Sequence, residues 1–330
     1  MKNVEFLYLS QQDILDLNIS WDKIIERVEI ALKEHGEGTV ENPPKPGAHS
    51  RPNCFIHAMP AYLQQMDAVG MKWVSGYPTN HSHGLPSILG LQIMNCPETG
   101  VPTAVMDCTW ITAVRTAAVS AVSAKYCARQ NSEVLGVVGA GVQGRMNTYA
   151  LKHILPSIKT VKVFDVFDSA TAKFKEEMSK ELGVEVIVCD TTEKVARDSD
   201  VIVTTIPRTD KPVDPAWMIR TEWLKEGVTG LPVDGTRAWV ESCIFGASKF
   251  LTDDLGQTTH YHETQGVFPN GMPPLYAEIG EVVAGKKTGR DSDAEFIMAM
   301  NFGLAIEDIS MGKYILELAT QKGVGTKLPL

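Results

Sequence analysis

The feature that most narrows the fold is Gly139-Ala140-Gly141-Val142-Gln143-Gly144, a G-x-G-x-x-G run between the apolar stretch Val134-Leu135-Gly136-Val137-Val138 and a helical segment reaching about Leu155. In that setting each glycine has its own use. The first permits a tight turn, the second lets a pyrophosphate approach the backbone, and the third lets the helix pack closely. The helix start, with Val142 and Gln143, then offers unpaired N–H groups and the positive end of its dipole to the phosphates. Asp165 ends the next strand-like stretch, Val161-Lys162-Val163-Phe164-Asp165, 24 residues after Gly141, at the spacing of an acid that holds ribose hydroxyls. Such an acid repels a 2′-phosphate, so NAD is expected ahead of NADP. Asp168 is expected to cap the helix that follows.

Further strands are expected at Val184 to Val188 and Val201 to Ile206. Alternation of strands with helices means an α/β fold with a Rossmann-type doubly wound parallel sheet. The residues before it read differently. Ser10 can cap a short helix, and Trp21, Ile24, Ile25, Val28, Ala31 and Leu32 recur at helical spacing, with Glu26 to Glu37 as its solvated face. Strand patterns broken by Gly and Pro run from Cys54 to Asp107, and Thr109 to Arg129 reads as one Ala-rich helix. That region is α+β, and a helix from Phe302 to Leu318 is expected to return to it.

The 330 residues suffice for two domains, and a net charge of −9 without a basic run offers nothing to nucleic acid or an anionic membrane. No stretch is apolar enough to span a bilayer, and Met1-Lys2-Asn3-Val4-Glu5 lacks the pattern of a signal peptide, so a cytoplasmic protein is expected. Six scattered cysteines without a Cys-x-x-Cys pair read as small core residues. His81-Ser82-His83 and His260-Tyr261-His262 read as polar loops, and no metal is expected.

Two cations stand alone in apolar surroundings. Arg115 is the only charged residue between Cys108 and Ala124, and Lys72 the only one from Ala68 to Pro97. A buried guanidinium needs a carboxylate, from the protein or from a ligand, and its planar fork suits a substrate carboxylate. Asp234 follows the expected strand at Leu231-Pro232-Val233, where strand ends line a ligand crevice; a turn-forming Asp paired with Arg237 is the alternative.

Nine segments in order, among them Gly70-Met71-Lys72-Trp73-Val74, Thr112-Ala113-Val114-Arg115-Thr116, Thr204-Thr205-Ile206-Pro207 and Gly303-Leu304-Ala305-Ile306-Glu307-Asp308, resemble the ornithine cyclodeaminase and mu-crystallin family. The resemblance implies a substrate and dimerisation domain at 1–128 plus 303–330 around an inserted NAD(P)-binding domain at 129–302, in a homodimer. It also implies that Lys45, Lys72 and Arg115 surround a substrate carboxylate and that Asp234 serves the substrate nitrogen. Ser87 and Thr116 would stand near the nicotinamide, Thr205 and Pro207 along the ribose and phosphates. His57 departs from the Glu of similar cyclodeaminases and the Arg of a similar alanine dehydrogenase. Val233-Asp234-Gly235-Thr236-Arg237 lacks the usual Asp-x-Pro-Gly-Lys, which points away from ornithine cyclisation.

The expected activity is NAD(P)-dependent hydride transfer at the α-carbon of a small amino or imino acid, as in an amino-acid dehydrogenase or imine reductase. Asp234 is the expected proton carrier, with Lys72 polarising the substrate and His57 a third candidate. Deaminating cyclisation with recycled NAD, and a crystallin-like binding protein with little turnover, are the alternatives.

Overall fold

The computed structural model describes residues 4–207 and 212–330; Met1-Lys2-Asn3, the head of the segment read for a leader, lie outside them. The chain begins with β1 (Glu5–Leu9), α1 (Gln11–Asp16), α2 (Trp21–Glu37), β2 (Val40–Glu41), β3 (Gly47–Ala48), β4 (Phe55–Leu63), β5 (Ala68–Gly76), β6 (Ile88–Asn95), β7 (Pro102–Asp107) and α3 (Thr109–Cys127). It continues through β8 (Val134–Val138), α4 (Val142–Ile154), β9 (Thr160–Phe164), α5 (Asp168–Leu182), β10 (Glu185–Val188), α6 (Thr192–Ala196), β11 (Val201–Thr204) and β12 (Thr229–Pro232). Then come α7 (Glu241–Gly246), β13 (Lys249–Thr252), α8 (Leu255–Gln265), β14 (Leu275–Glu278), α9 (Ile279–Val283) and β15 (Ile297–Met300), before α10 (Ala305–Lys322) and β16 (Thr326–Pro329).

Two compact units result. One is the chain up to Arg115 with Gly303–Leu330, the other Thr116–Phe302. The division falls inside α3, because that helix is continuous, rather than after it at residue 128.

In the first unit the strand order is β16-β1-β7-β6-β5-β4-β2, with β3 also on β4, and every pairing but β1 with β7 is antiparallel. Alternation fixes the two faces of this sheet. Gly70, Lys72 and Val74 on β5 are buried, while Trp73 is exposed. Helix α10 packs on β4, β5, β6 and α2. Helix α2 starts at a Ser20 cap, buries Ile24, Ile25, Val28, Ala31 and Leu32, and stops at Gly38, whose φ of 78° is left-handed. Ser10 caps α1 in a reciprocal box with Asp13.

Glu34 does not belong to a solvated face as expected: it is buried, and its carboxylate accepts the backbone N–H groups of Gln65 (3.0 Å) and Met66 (2.9 Å). Those turn amides need an acceptor, which is why a charged residue sits on the inner side of α2.

The second unit holds a wholly parallel sheet, order β10-β9-β8-β11-β12-β15-β13-β14. Counted from β8, the first five strands run 3-2-1-4-5, the doubly wound arrangement in which order reverses beside the first strand. Three local expectations change here. Asp168 is the first residue of α5 rather than its cap: Phe167 holds the cap position and no side chain caps it. The helix starts one residue earlier than expected because the Phe167 carbonyl accepts its first N–H groups, from Ala170 at 2.9 Å and Thr171 at 3.3 Å. His260 and His262 lie on α8, not in a loop, anchored by buried Tyr261 between them. Cys96 is half-buried, whereas the other five cysteines are buried.

Candidate active site and dinucleotide loop

In the second unit the dinucleotide loop leaves β8 at its carboxyl end. Gly139 has a φ of 100°, and a Cβ there would lie 2.7 Å from Thr205 Oγ1. Gly144 lies against the Gly139 carbonyl, so a side chain there has no room. Gly141, the cap of α4, is different: an added Cβ would meet nothing within 4 Å, and no side chain caps the helix. The start of α4, with exposed Val142 and half-buried Gln143, is thus open at Gly141 and carries no side-chain cap.

Asp165 stands just past β9 and accepts the Ala140 N–H at 2.7 Å through Oδ2, so the acid is tied to the glycine loop. Thr205, just past β11, donates to the Gly139 carbonyl at 3.0 Å. Pro207 follows, its carbonyl accepting Arg237 Nη1 at 2.9 Å. Room at Gly141, a helix start without a side-chain cap and a fixed acid fit a dinucleotide, and no Lys or Arg stands at Val166, Phe167 or Asp168 to receive a 2′-phosphate.

Asp234 follows β12 on the same sheet. Thr204 Oγ1 lies 3.0 Å from its Oδ1 and 3.0 Å from Trp239 Nε1. The indole can only donate, so the threonine hydroxyl spends its single hydrogen on Asp234. The other oxygen, Oδ2, is shut from water with no hydrogen-bond partner among the described residues. Burial pushes the carboxyl up to about 6, against the Thr204 hydroxyl, the Ile206 N–H and the Arg237 charge, which pull it down.

The first unit brings Lys72 and Arg115 together. Both are buried, Lys72 completely. Arg115 donates from Nη1 to Glu307 at 2.9 Å and from Nε to Asp308 Oδ1 at 3.1 Å. Lys72 Nζ lies 2.7 Å from Asp308 Oδ2, a contact ion pair not aligned as a hydrogen bond. The carboxylates that these isolated cations require thus come from the chain itself. Loss of water, reinforced by Arg115, lowers the Lys72 ammonium to about 8 despite the Asp308 attraction. Burial works against the Arg115 charge as well, but Asp308 and Glu307 outweigh it and hold the guanidinium above its usual value.

Glu307 and Asp308 were not singled out from the sequence as partners. Their signal is the mirror image of the isolated cations: two adjacent acids inside Leu304-Ala305-Ile306 and Ile309-Ser310-Met311. Thr204 and Trp239 were missed too, because neither carries charge.

His57 lies on β4 opposite Gly47, its ring stacked on Phe55 with centroids 4.3 Å apart. A Cβ on Gly47 would run into that ring. Lys45 is half-buried in the loop before β3, which is held to β4 by the Ala58 N–H donating to the Pro46 carbonyl at 3.0 Å. Ser87 is exposed, its carbonyl accepting the Tyr77 N–H at 2.8 Å, and Thr116 is half-buried on α3. Among the described residues no three His, Cys, Asp or Glu side chains cluster as metal ligands, and no helix is long and apolar enough to cross a membrane.

The sequence pattern of the ornithine cyclodeaminase/mu-crystallin family matches residues 5–323. An alanine dehydrogenase from Archaeoglobus fulgidus is 37% identical over 333 residues, covering 98% of each chain. The structure of Thermococcus litoralis Δ1-pyrroline-2-carboxylate reductase, in complex with NADH and L-proline, superposes with a TM-score of 0.85 at 34% identity, covering 97% of this chain and 99% of that one. An archaeal alanine dehydrogenase dimer with bound NAD gives a TM-score of 0.85 at 34% identity over 98% and 99% of the two chains.

Proposed function

The chain belongs to the ornithine cyclodeaminase/mu-crystallin family, and on that premise we propose that it is an NAD-dependent oxidoreductase acting at the α-carbon of a small amino or imino acid. One observation carries the reading. The carboxyl ends of β8, β11 and β12, neighbours in one parallel sheet, bear the glycine loop, Thr205 and an Asp234 whose carboxyl sits at about 6. A dinucleotide cradle and a proton carrier that works near neutrality stand on adjacent strands.

When bound, the nicotinamide accepts or supplies the hydride. Amine oxidation needs a neutral nitrogen and imine reduction a protonated one, so a proton must move at that atom in either direction. Asp234 moves it: Oδ1 is held by Thr204, and Oδ2, without a partner, is the oxygen left to reach the substrate. Arg115 spends Nη1 and Nε on Glu307 and Asp308, leaving Nη2 for the substrate carboxylate, with Lys45, Lys72 and His57 completing its surroundings. Such a clamp fixes the α-carbon and so lowers the entropic part of the barrier. Ser87, Thr116, Val142, Gln143, Asp165, Thr205 and Pro207 hold the dinucleotide alongside the three glycines.

A homodimer belongs to the same proposal, supported by the dimeric relative and by Tyr8, Trp73 and Leu91, large apolar side chains exposed on the first sheet. Cysteines that are all free fit the cytoplasm, the location we propose.

The test is a panel of purified protein with NAD(H) or NADP(H) against alanine, proline, ornithine, lysine, cyclic imines, and keto acids with ammonia or methylamine. Net NADH formation or consumption, greater than with NADP(H), is expected. Silence across the panel despite NADH binding overturns the reading, and ammonia release from ornithine without net NADH replaces it with cyclisation.

A further inference from the structure

We infer that Asp308 is a positioning residue shared by Lys72 and Arg115, one carboxylate oxygen on each cation, and that Glu307 is a second tether for Arg115 alone. The inference rests on the oxidoreductase reading above and adds residues to it. The geometry is specific. Oδ2 of Asp308 lies 2.7 Å from Lys72 Nζ, and Oδ1 accepts Arg115 Nε at 3.1 Å. Its backbone is held as well, since buried Gln92 donates from Nε2 to the Asp308 carbonyl at 2.7 Å.

Two glycines on the returning segment make the fit possible. A Cβ at Gly303 would strike the Arg115 guanidinium, and one at Gly312 would strike the Gln92 amide. All the groups concerned are buried, so water cannot substitute for a lost carboxylate, and without Asp308 the only carboxylate of the pair left beside the two cations is Glu307, which is held on Arg115.

Asp308 therefore does two things at once: it holds Lys72 and Arg115 at a fixed separation, and it keeps Lys72 protonated beside a second cation. The titratable and charged groups facing Lys72 are Arg115 and Cys108 near the start of α3 and Asp308 on α10. Its strand neighbours opposite, Met59 on β4 and Gln92 on β6, carry no charge. Without Asp308 the two largest influences, burial and Arg115, both drive Lys72 toward the neutral amine, opposed only by the weaker effect of Cys108.

The experiment compares wild type, Asp308→Asn and Glu307→Gln, with the Lys72 side chain followed by NMR of lysine labelled at its terminal carbon and assigned with Lys72→Met. In Asp308→Asn the Lys72 titration is expected to move down by about one pH unit or more, and the matching limb of the pH profile of kcat with it. Glu307→Gln is expected to raise KM about tenfold through a loosened Arg115 while the Lys72 titration stays in place. An unmoved Lys72 titration in folded Asp308→Asn overturns the inference. If that variant does not fold, Glu307→Gln decides, since a shift of Lys72 there makes Glu307 the governing carboxylate. The NMR titration does not depend on turnover. A Lys72 shift in a protein silent on every substrate would keep the positioning role and remove the oxidoreductase reading.

Discussion

A carboxyl at about 6 is made chiefly by burial: Asp234 has one oxygen held by Thr204 and another with no hydrogen-bond partner among the described residues, and the Thr204 hydroxyl, Ile206 N–H and Arg237 charge only partly offset the loss of solvent. Asparagine keeps the shape and can still accept from Thr204, but it carries no proton. Asp234→Asn should therefore lower kcat by about 10²–10⁴-fold while leaving NADH affinity close to wild type, as read by steady-state kinetics and NADH fluorescence titration. The same substitution has a signature in stability. In the unfolded chain this carboxyl titrates near ~3.9, so between about pH 4 and 6 the folded state holds a proton that the unfolded state has released. That contribution is complete below about pH 4 and is lost as pH rises through 6. Denaturant unfolding should show wild type losing about 1–2 kcal/mol more than Asp234→Asn over this interval, the figure being reduced for partial exposure. Equal pH slopes would mean that the carboxyl is ordinary.

At the scale of elements, the glycine loop separates folding from binding. Gly144 packs on the Gly139 carbonyl, whereas Gly141 faces open space. Gly144→Ala should cost about 1–3 kcal/mol, seen as a lower Tm, because backbone must shift to admit the methyl group. Gly141→Ala should leave Tm within a degree or two yet weaken NADH at least about tenfold, since the methyl occupies the approach that the pyrophosphate needs. A parallel fall of both quantities in both variants would show that the loop serves only the fold. This loop was legible in the sequence because its signals are local: an apolar strand, three glycines and an acid one strand later. The cation cluster was legible only by half. Arg115 announces that it needs a carboxylate, but Glu307 and Asp308 lie 192 and 193 residues away, and only the return of α10 to the first sheet brings them near. Glu34 misled for a related reason, because helical spacing says nothing of backbone amides arriving from a turn 31 residues later.

For the whole molecule, the two units answer to different demands. The second carries the dinucleotide loop on its own sheet, and of the residues proposed to hold the cofactor only Ser87 belongs to the first. The first leaves an apolar sheet face uncovered, with Trp73 set directly opposite Leu91 across β5 and β6 and Tyr8 opposite Val105 across β1 and β7. Exposed large side chains in neighbouring register form a patch, and such a patch is stable in water when a second copy covers it. A charge at its centre would have to be buried without a partner, at a cost of several kcal/mol counted once in each copy. Leu91→Asp should therefore convert a dimer into a monomer in sedimentation velocity at micromolar concentration. NADH titration of the same sample should give nearly the wild-type affinity per chain, because no part of the glycine loop has changed. A wild-type protein that sediments as a monomer would remove the dimer outright. A Leu91→Asp protein that stays dimeric would move the contact to another surface.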